Sequence, residues 1–424
     1  MLHLFIVYTE GTVLRKRILP VVVGYDIGAY SFARIFHEET GEKALVLTDA
    51  QRGFINNSRI LDVRLHPRGT FDDDAAFIAA LRGVEREFPD RQLVLLVNSD
   101  EHVEFVARNT TDLAKSWFLP YSSSESVMLA NSKSSMADVL DSLGLNAPAN
   151  VVIDLQNAAH VDELDALRYP VVVKPESGAD LASNWNAGLR KVSMWTSATQ
   201  ARAACQELID AGVAVKIIVQ EFIPGDDTTQ WLINGYVNGQ GVVTACGSGH
   251  LVLGLHQPEY IGNAAIVLTE HHRDLIDSAQ KIVAKANMRG FFSFDVKIDP
   301  RDGRAYWLDL NPRIGRGHYY LNAAGVNLAR AMIADMHDQD IPFQTNQREA
   351  LFCIVPSCLA GANYVQNADL RARVRAARRK HGVVNPLIYP SDRNIKRTVF
   401  RLLNGFNQYR RMRRYYPSAR ADSL

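Results

Sequence analysis

The sequence contains few cysteines, and their positions argue against a metal or disulfide framework. Only four occur in 424 residues: Cys205, Cys246, Cys353 and Cys358. The last two lie close together, but their separation matches zinc-binding patterns poorly. We therefore expect reduced, buried thiols in a cytoplasmic protein.

Long apolar runs are also lacking. The apolar stretch at 1–8 is short, has no basic leader and is followed by no cleavage-site pattern, and no other run approaches the length of a membrane span. Apolar residues make up 47% and charged residues 22% of the chain, as in an ordinary soluble globular protein. A chain of 424 residues predicts roughly two to four domains or subdomains.

A glycine-rich dinucleotide motif is missing from the first part of the chain, although strands and helices alternate there. We predict strands at 20–24, 43–47 and 93–97, with helices at 32–39 and from about 101 to 108. This alternation indicates a doubly wound parallel sheet, in which ligands gather at the carboxyl ends of the strands. Asp26, Asn98 and Asp100 occupy such ends. For the two acids, a substrate contact and a plain helix cap are equally good interpretations.

Residues 291–320 contain the pattern with the most chemistry. They predict a hairpin with strands at about 291–298 and 304–310 and a turn between them. Asp309 and Asn311 are two residues apart and share one face, and Asp295 lies across the hairpin from them. Two carboxylates and an amide oxygen suit Mg²⁺ that bridges substrate phosphates. The alternative is a solvated acidic hairpin.

The middle of the chain offers weaker signals. Lys133 falls in a segment predicted as one helix at 126–143, and Lys174 ends an apolar strand just before Pro175. The loop at 176–188 resembles a flap over phosphates, but Gly178 and Gly188 are its only glycines, so this signal is weak. Further strands are predicted at 151–153, 171–174, 191–195, 216–223, 230–237 and 242–247, and a helix is predicted after the hairpin at about 321–336.

A Pro-Gly pair breaks one of these strands and suggests a hinge. The segment 220–227 reads Gln-Glu-Phe-Ile-Pro-Gly-Asp-Asp. Its backbone groups are placed to pair with an adenine edge, and Asp227 follows at a distance that suits a ribose hydroxyl. An ordinary acidic turn is the competing interpretation.

In their order and spacing, these separated pieces resemble the ATP-grasp ligases. The likeness is strongest to the carboxylate–amine ligases that look like D-aspartate ligase of peptidoglycan cross-bridge synthesis. It covers about 20–336, and its most specific part is Phe-Asp-Val-Lys followed by Asp-Leu-Asn-Pro-Arg in the hairpin. The resemblance implies an α/β chain with an ATP-grasp fold, two α+β subdomains that clasp ATP, after the doubly wound N-terminal domain.

The resemblance also implies roles for individual residues. ATP and one or two Mg²⁺ ions are the expected cofactors. Arg313 would steady the acyl phosphate or the tetrahedral intermediate, and Lys174 would join it in catalysis. The residues implied to bind ATP are Lys133, Lys174, Lys191, Gln220, Glu221, Phe222, Ile223 and Asp227. The implied metal ligands are Asp295, Asp309 and Asn311.

One position departs from the family pattern. Enzymes of this kind usually carry Glu where this chain has Asp309, and there the longer side chain bridges two metals. Asp keeps the charge, so we expect activity to survive, while two-metal binding is less secure.

The implied reaction is amide formation through an acyl phosphate. A D-aspartate-like amino acid would join the amine of a peptidoglycan stem peptide carried on a nucleotide- or lipid-linked precursor. The alternatives are a small-molecule amino-acid or dipeptide ligase and a non-catalytic ATP-binding scaffold. We divide the chain into 1–122 (pre-ATP-grasp domain), 123–220 (small subdomain), 221–340 (large subdomain) and 341–424 (basic region).

The net charge of the chain is only +1, although its C-terminal region is strongly basic. Residues 371–424 hold 15 Lys/Arg against two acids, Asp392 and Asp422, with aromatic residues and leucines between the cations. This pattern predicts amphipathic basic helices. They would pack on the body as a solvated surface, or contact anionic precursors or the inner membrane face as a peripheral protein. Nucleic acid is the disfavoured partner, because no nucleic-acid-binding fold pattern accompanies the charge.

Overall fold

The computed structural model describes residues 16–176 and 183–422. Its first unit is a parallel sheet in the order β3-β2-β1-β4-β5, which confirms the predicted doubly wound N-terminal fold. The strands are β1 (Ile18–Val23), β2 (Ala44–Thr48), β3 (Leu61–Leu65), β4 (Gln92–Val97) and β5 (Trp117–Phe118). The helices are α1 (Ile27–Thr40), α2 (Asp74–Glu87), α3 (Asp100–Arg108) and α4 (Thr110–Leu113).

Side chains of β1 alternate between two cores, because successive strand residues point to opposite faces. Val22 packs in one cluster with Phe32 of α1. Val21 and Val23 pack in another cluster with Phe77 of α2. Helices therefore cover both faces of the sheet, and only the strand ends are left to form a site.

A break at Ser132 divides the segment that was predicted as one helix. The two helices are α5 (Ser124–Asn131) and α6 (Lys133–Ser142). The Ser132 hydroxyl accepts a hydrogen bond from the N–H of Ser135 at 3.3 Å and so caps α6. The single-helix prediction was wrong because it overlooked this cap, which makes Lys133 the first residue of α6.

A small antiparallel sheet follows, in the order β6-β9-β7-β8. Its strands are β6 (Asn150–Asp154), β7 (Val171–Pro175), β8 (Ser193–Trp195) and β9 (Lys216–Glu221), and α7 (Ala198–Asp210) packs on it. The strand predicted from Lys191 begins at Ser193. The predicted phosphate flap includes residues 177–182, which lie outside the described residues.

The largest sheet has the order β14-β13-β10-β11-β12-β15-β16. Its strands are β10 (Gln230–Val237), β11 (Val243–Gly254), β12 (Ala264–Leu268), β13 (Gly290–Ile298), β14 (Ala305–Asn311), β15 (Leu351–Cys353) and β16 (Val383–Val384). All neighbours are antiparallel except β15 and β16. The helices around it are α8 (Arg273–Lys285), α9 (Tyr320–Ala324), α10 (Leu328–Met336) and α11 (Ala368–His381).

Two length predictions for this sheet and its helices were wrong. The strand predicted to end at 247 continues to Gly254 as β11. The helix predicted at 321–336 is interrupted at Gly325, whose φ of 93° is left-handed and ends α9.

The C-terminal region packs against the rest of the chain and contributes to its large sheet. It supplies β15 and β16, and α11 buries Leu370 and Val374 against the outer strands of the large sheet. The last helix, α12 (Ile395–Tyr415), runs without a break through the Arg-rich stretches at 397–401 and 410–414. Among residues 16–176 and 183–422, no helix is long and apolar enough to cross a membrane.

Candidate active site

The hairpin of β13 and β14 presents the predicted metal ligands on one face. Asp295 pairs with Asp309, and Ser293 pairs with Asn311. Directly opposed residues of an antiparallel pair point the same way, as do residues two apart on one strand. The alternation argument is therefore confirmed for Asp295, Asp309 and Asn311. Gly303, with a φ of 72°, closes the turn.

Two lysines from separate parts of the chain converge on Asp309. The Lys174 ammonium, at the end of β7, donates to both carboxylate oxygens at 3.0 Å. The Lys133 ammonium, at the start of α6, donates to the Asp309 carboxylate and to the backbone carbonyl of Leu308. Two ammonium groups therefore share one carboxylate, and both are placed to bind a polyanion.

The opposed carboxylates differ in pKa because only one of them touches the lysines. Burial raises the pKa of Asp309, but the ammonium groups of Lys133 and Lys174 outweigh this effect and hold it well below the usual range. Burial and the neighbouring Asp309 charge raise the pKa of Asp295 to about 6. Burial also lowers the pKa of Lys133. Asp309 is thus the fixed negative charge of the site.

Lys191, two residues before β8 of the small sheet, is a third lysine near this cluster. Its ammonium donates to the backbone carbonyl of Ile261 at 2.8 Å. Burial lowers its pKa, and the positive charges of Arg316 and Lys174 lower it further. Cations that depress one another's pKa are stabilised by an anion placed among them.

Two arginines join the hairpin to the N-terminal sheet. Arg313 makes a bidentate pair with Asp100 at 2.5 and 2.8 Å and also donates to the Asn311 amide oxygen at 3.3 Å. Arg316 donates to Asp26 at 2.8 Å. The N-terminal strand ends therefore hold the arginines that follow the metal hairpin.

Asp26 caps a helix, which is one of the two interpretations that the sequence left open, while a substrate contact by Asp26 remains a prediction. It caps α1 by accepting from the N–H of Ala29 at 2.9 Å, and its other oxygen binds Arg316. Asn98 donates to it at 3.1 Å. Among the described residues, Nη1 of Arg316 is buried without a hydrogen-bond partner. Sequence reasoning passed over Arg316, although it stands three residues after Arg313 in the same motif.

A cleft of about 1800 Å³ opens between the hairpin and the N-terminal sheet. Drug-sized ligands usually occupy about 300–1,000 Å³, so this cleft has room for a large second substrate. It extends from the hairpin to the last helix, α12. Residues that line it include Asp26, Asp100, Asp295, Asn311, Arg313, Arg316, Tyr260, Phe400 and Asn404.

The predicted hinge is shaped by its own backbone bonds. The N–H groups of Glu221 and Phe222 donate to the carbonyls of Ala149 and Pro170 at 2.8 and 3.0 Å. The Glu221 carboxylate binds Arg168. These bonds fix the position of the hinge against the neighbouring segments.

The side chains of the other hinge residues are buried or half-buried. Gln220 lines a small gap together with Lys133 and Leu308. The Phe222 ring faces the Lys297 ammonium at 4.6 Å, and Ile223 is buried. Adenine binding by 220–223 remains a prediction.

Asp227 is held inside the large subdomain. It is only 4% exposed, and one of its oxygens accepts from the N–H of Gly254 at 2.6 Å and lies 2.9 Å from Nε2 of His256. These partners belong to β11 and the loop after it. The ribose role of Asp227 also remains a prediction.

The donor atoms on the hairpin fit magnesium. Asp295, Asp309 and Asn311 offer hard oxygens, and Mg²⁺ is usually held by one or two carboxylates together with substrate phosphates and water. Within 16–176 and 183–422, no group of three or more His, Cys, Asp or Glu residues is placed to hold a metal by itself. Any ion here would therefore depend on the substrate phosphates for part of its shell.

Comparison with known proteins agrees with this geometry. A family model described as "ATP-grasp domain" matches residues 130–317, which contain both lysines and the whole hairpin. Residues 130–317 therefore form an ATP-grasp domain.

One curated relative is similar over almost the whole length. D-aspartate ligase of Enterococcus faecium (strain Aus0004) is 25% identical over 418 residues, which are 96% of this chain and 98% of the relative. This likeness extends the similarity from the ATP-grasp segment to almost the whole chain. The family binds ATP, typically with Mg²⁺.

Solved structures show the same fold at low identity. L-amino acid ligase from Bacillus licheniformis has a TM-score of 0.54 at 17% identity and covers 76% of this chain and 75% of its own. N5-carboxyaminoimidazole synthetase from Staphylococcus aureus complexed with ADP has 0.57 at 12%, covering 80% and 82%. Biotin carboxylase from Campylobacter jejuni has 0.56 at 15%, covering 77% and 72%.

Proposed function

We propose that this ligase activates the carboxylate of an amino acid, D-aspartate or a close relative of it, and joins it to an amine of a peptidoglycan stem peptide. The convergence of Lys133 and Lys174 on Asp309, opposite Asp295, is the observation that carries the proposal. The full-length likeness to D-aspartate ligase supports the donor class. The size of the cleft supports a bulky acceptor over a second free amino acid.

The reaction needs cations around the transferred phosphoryl group and little covalent help from the protein. A carboxylate oxygen of the donor attacks the γ-phosphorus of ATP, and ADP leaves. The acceptor amine then attacks the acyl carbon and loses a proton, and phosphate leaves with the oxygen that the donor supplied. The products are an amide, ADP and phosphate.

Each residue has a role in this scheme. Lys133, Lys174 and Lys191 hold the phosphates, and Gln220 to Ile223 hold the nucleoside. Asp295, Asp309 and Asn311 would hold Mg²⁺, which neutralises phosphate charge when bound. Arg313, fixed by Asp100, contacts the acyl phosphate and the oxyanion of the addition step.

The same proposal includes the location of the reaction. The chain works in the cytoplasm on a nucleotide- or lipid-linked precursor, with its basic C-terminal region as the part that meets an anionic membrane. A dipeptide ligase and a non-catalytic scaffold are the competing functions.

A substrate panel tests the proposal. Amino acid donors are combined with ATP, Mg²⁺ and a Lys-containing stem peptide, and both ADP release and product mass are measured. We expect one donor to give a peptide heavier by that donor minus water. Dipeptides formed from free amino acids would identify a small-molecule ligase instead, and no stimulated ADP release with any pair would identify a scaffold.

The hairpin assignment has its own variant. Asp309→Ala should lower ADP release at least about a hundredfold, because the phosphoryl transfer loses its fixed carboxylate. Asp302→Asn, an exposed acid in the turn of the same hairpin, is the matched control and should keep full activity. Full turnover in Asp309→Ala would remove Asp309 from the site.

A further inference from the structure

The last helix, α12, exposes an apolar stripe on the side opposite its packed face. Its exposed large apolar side chains include Ile395 at 82%, Leu403 at 64% and Phe406 at 62%. At 100° per residue, the stripe covers an arc of about 120°. The complete stripe is Ile395, Val399, Leu402, Leu403, Phe406 and Tyr409.

The opposite face fixes α12 to the body at both ends. At its start, Asp392 is buried and accepts from Tyr30 at 2.8 Å and Ser58 at 2.9 Å, and it pairs with Arg397 at 2.9 Å. At its far end, Arg411 pairs with Glu259 at 2.8 Å. The stripe is therefore a fixed feature of the folded chain.

Near the end of α12, Met412 and Tyr416 are buried, and Tyr416 stacks on His256 with ring centroids 3.6 Å apart. The helix therefore packs against the body along its length. The exposed apolar side chains are those that take no part in this packing.

Cations accompany the stripe. No acidic residue occurs between Arg393 and Ala421. Lys396, Arg410 and Arg413 are exposed and, by helical position, lie beside or in line with the stripe. An apolar strip with cations at its flanks is the pattern of a helix that lies in a membrane surface.

We propose that the apolar stripe of α12 binds the surface of an anionic lipid bilayer. Charge decides between the possible occupants. A second copy of the chain would bring two helices of the same sign together, whereas anionic headgroups are complementary to the cations. Nucleic acid would satisfy the cations but would leave six large apolar side chains in water. A bilayer accommodates both.

The location of α12 gives this binding a consequence. Phe400 and Asn404, on the inner half of the same helix, line the large cleft. Phe400 also packs edge-on against Phe54, with ring centroids 5.3 Å apart. A bilayer bound to the stripe would therefore lie one helix diameter from the cleft. Membrane binding itself does not depend on the proposed reaction.

The test is vesicle flotation of the full chain without ATP. The probes are vesicles of phosphatidylcholine alone and of phosphatidylcholine mixed with phosphatidylglycerol. We expect the chain to float with the anionic vesicles, to stay behind with the neutral ones, and to be released as salt rises.

Two double variants separate the stripe from general hydrophobicity. Leu403→Asp with Phe406→Asp should lower partitioning at least about tenfold, since it withdraws apolar surface and adds repulsion. Met128→Asp with Val242→Asp adds the same charge at apolar side chains that are 64% and 57% exposed elsewhere and should change binding little. Lys396→Gln with Arg410→Gln should weaken binding to the anionic vesicles roughly fivefold for each cation removed.

Three outcomes would overturn the proposal. One is equal binding by the Leu403/Phe406 variant and the wild type. Another is a wild-type dimer, measured by light scattering, that this variant converts to a monomer. The third is displacement of the chain from anionic vesicles by duplex DNA at equal phosphate concentration. None of these depends on ADP release, so they are distinct from failure of the proposed reaction.

Discussion

The metal hairpin and the hinge each contribute an aspartate to the predicted nucleotide site, but the two carboxylates have different kinds of partner. Asp309 is held by Lys133 and Lys174, which come from α6 and the small sheet. Asp227 is held by Gly254, at the end of β11, and by His256, in the loop that follows. The partners of Asp309 come from earlier elements of the chain, whereas those of Asp227 belong, like Asp227 itself, to the segment 221–340.

We infer that Asp309 makes a functional contact and Asp227 a structural one. If phosphates bind at the two lysines, the ammonium groups can pair with phosphate oxygens, which would leave Asp309 able to bind a metal. No comparable exchange is available to Asp227 without breaking the packing around it. We therefore expect substitutions at the hairpin to affect turnover and those at the hinge aspartate to affect stability.

The largest effect should come from the lysine on the small sheet. Lys174→Met should lower ADP release about a hundredfold, because a preorganised cation is removed from the transferred phosphoryl group. The unfolding midpoint in urea should change little. Lys216→Met is the matched control, since Lys216 is exposed at the start of β9 in the same sheet. Equal loss in both variants would point to damage to the sheet instead of the site.

The hinge aspartate should give the reverse pattern. Asp227→Asn should lower the free energy of unfolding by about 1–3 kcal/mol, because a buried charge-assisted hydrogen bond is replaced by a mismatched one. Urea denaturation with the Asp309→Asn variant beside it measures the contrast. Unchanged stability together with a large rise in KM for ATP would show instead that Asp227 faces the ribose.

The smallest effect should come from the link between the hairpin and the N-terminal sheet. Asp100→Asn leaves Arg313 with its contact to Asn311 but removes the bidentate carboxylate. Asp100 is half exposed, so we expect a loss in ADP release of roughly fivefold or less. Glu104→Gln, on the exposed side of α3, is the control. An unchanged rate in Asp100→Asn would mean that Arg313 is positioned without it.

The sequence predicted those features that depend on short-range rules. Strand alternation placed Asp295, Asp309 and Asn311 on one face, and alternating strands and helices indicated the doubly wound sheet. The buried residues of α2, Phe77, Leu81 and Val84, also have helical spacing, but no helix was predicted there. Ser132 was overlooked as a cap because the apolar pattern continues across it.

Contacts between distant parts of the chain could not be read in this way. Lys133 lies 176 residues from Asp309, and Arg313 lies 213 residues from Asp100. No periodicity links positions so far apart, so only the family resemblance suggested that both lysines serve one site. The enclosure of Asp227 depends on where β11 ends, and that end was predicted seven residues too early.

The most direct test of the account follows the oxygen of the donor carboxylate. The donor that stimulates ADP release most is labelled with ¹⁸O in its carboxylate and turned over with ATP and the stem peptide, and the released phosphate is analysed by mass. Activation by phosphoryl transfer at the hairpin predicts one ¹⁸O in each phosphate released with the amide. Unlabelled phosphate, or release of AMP and pyrophosphate, would contradict it.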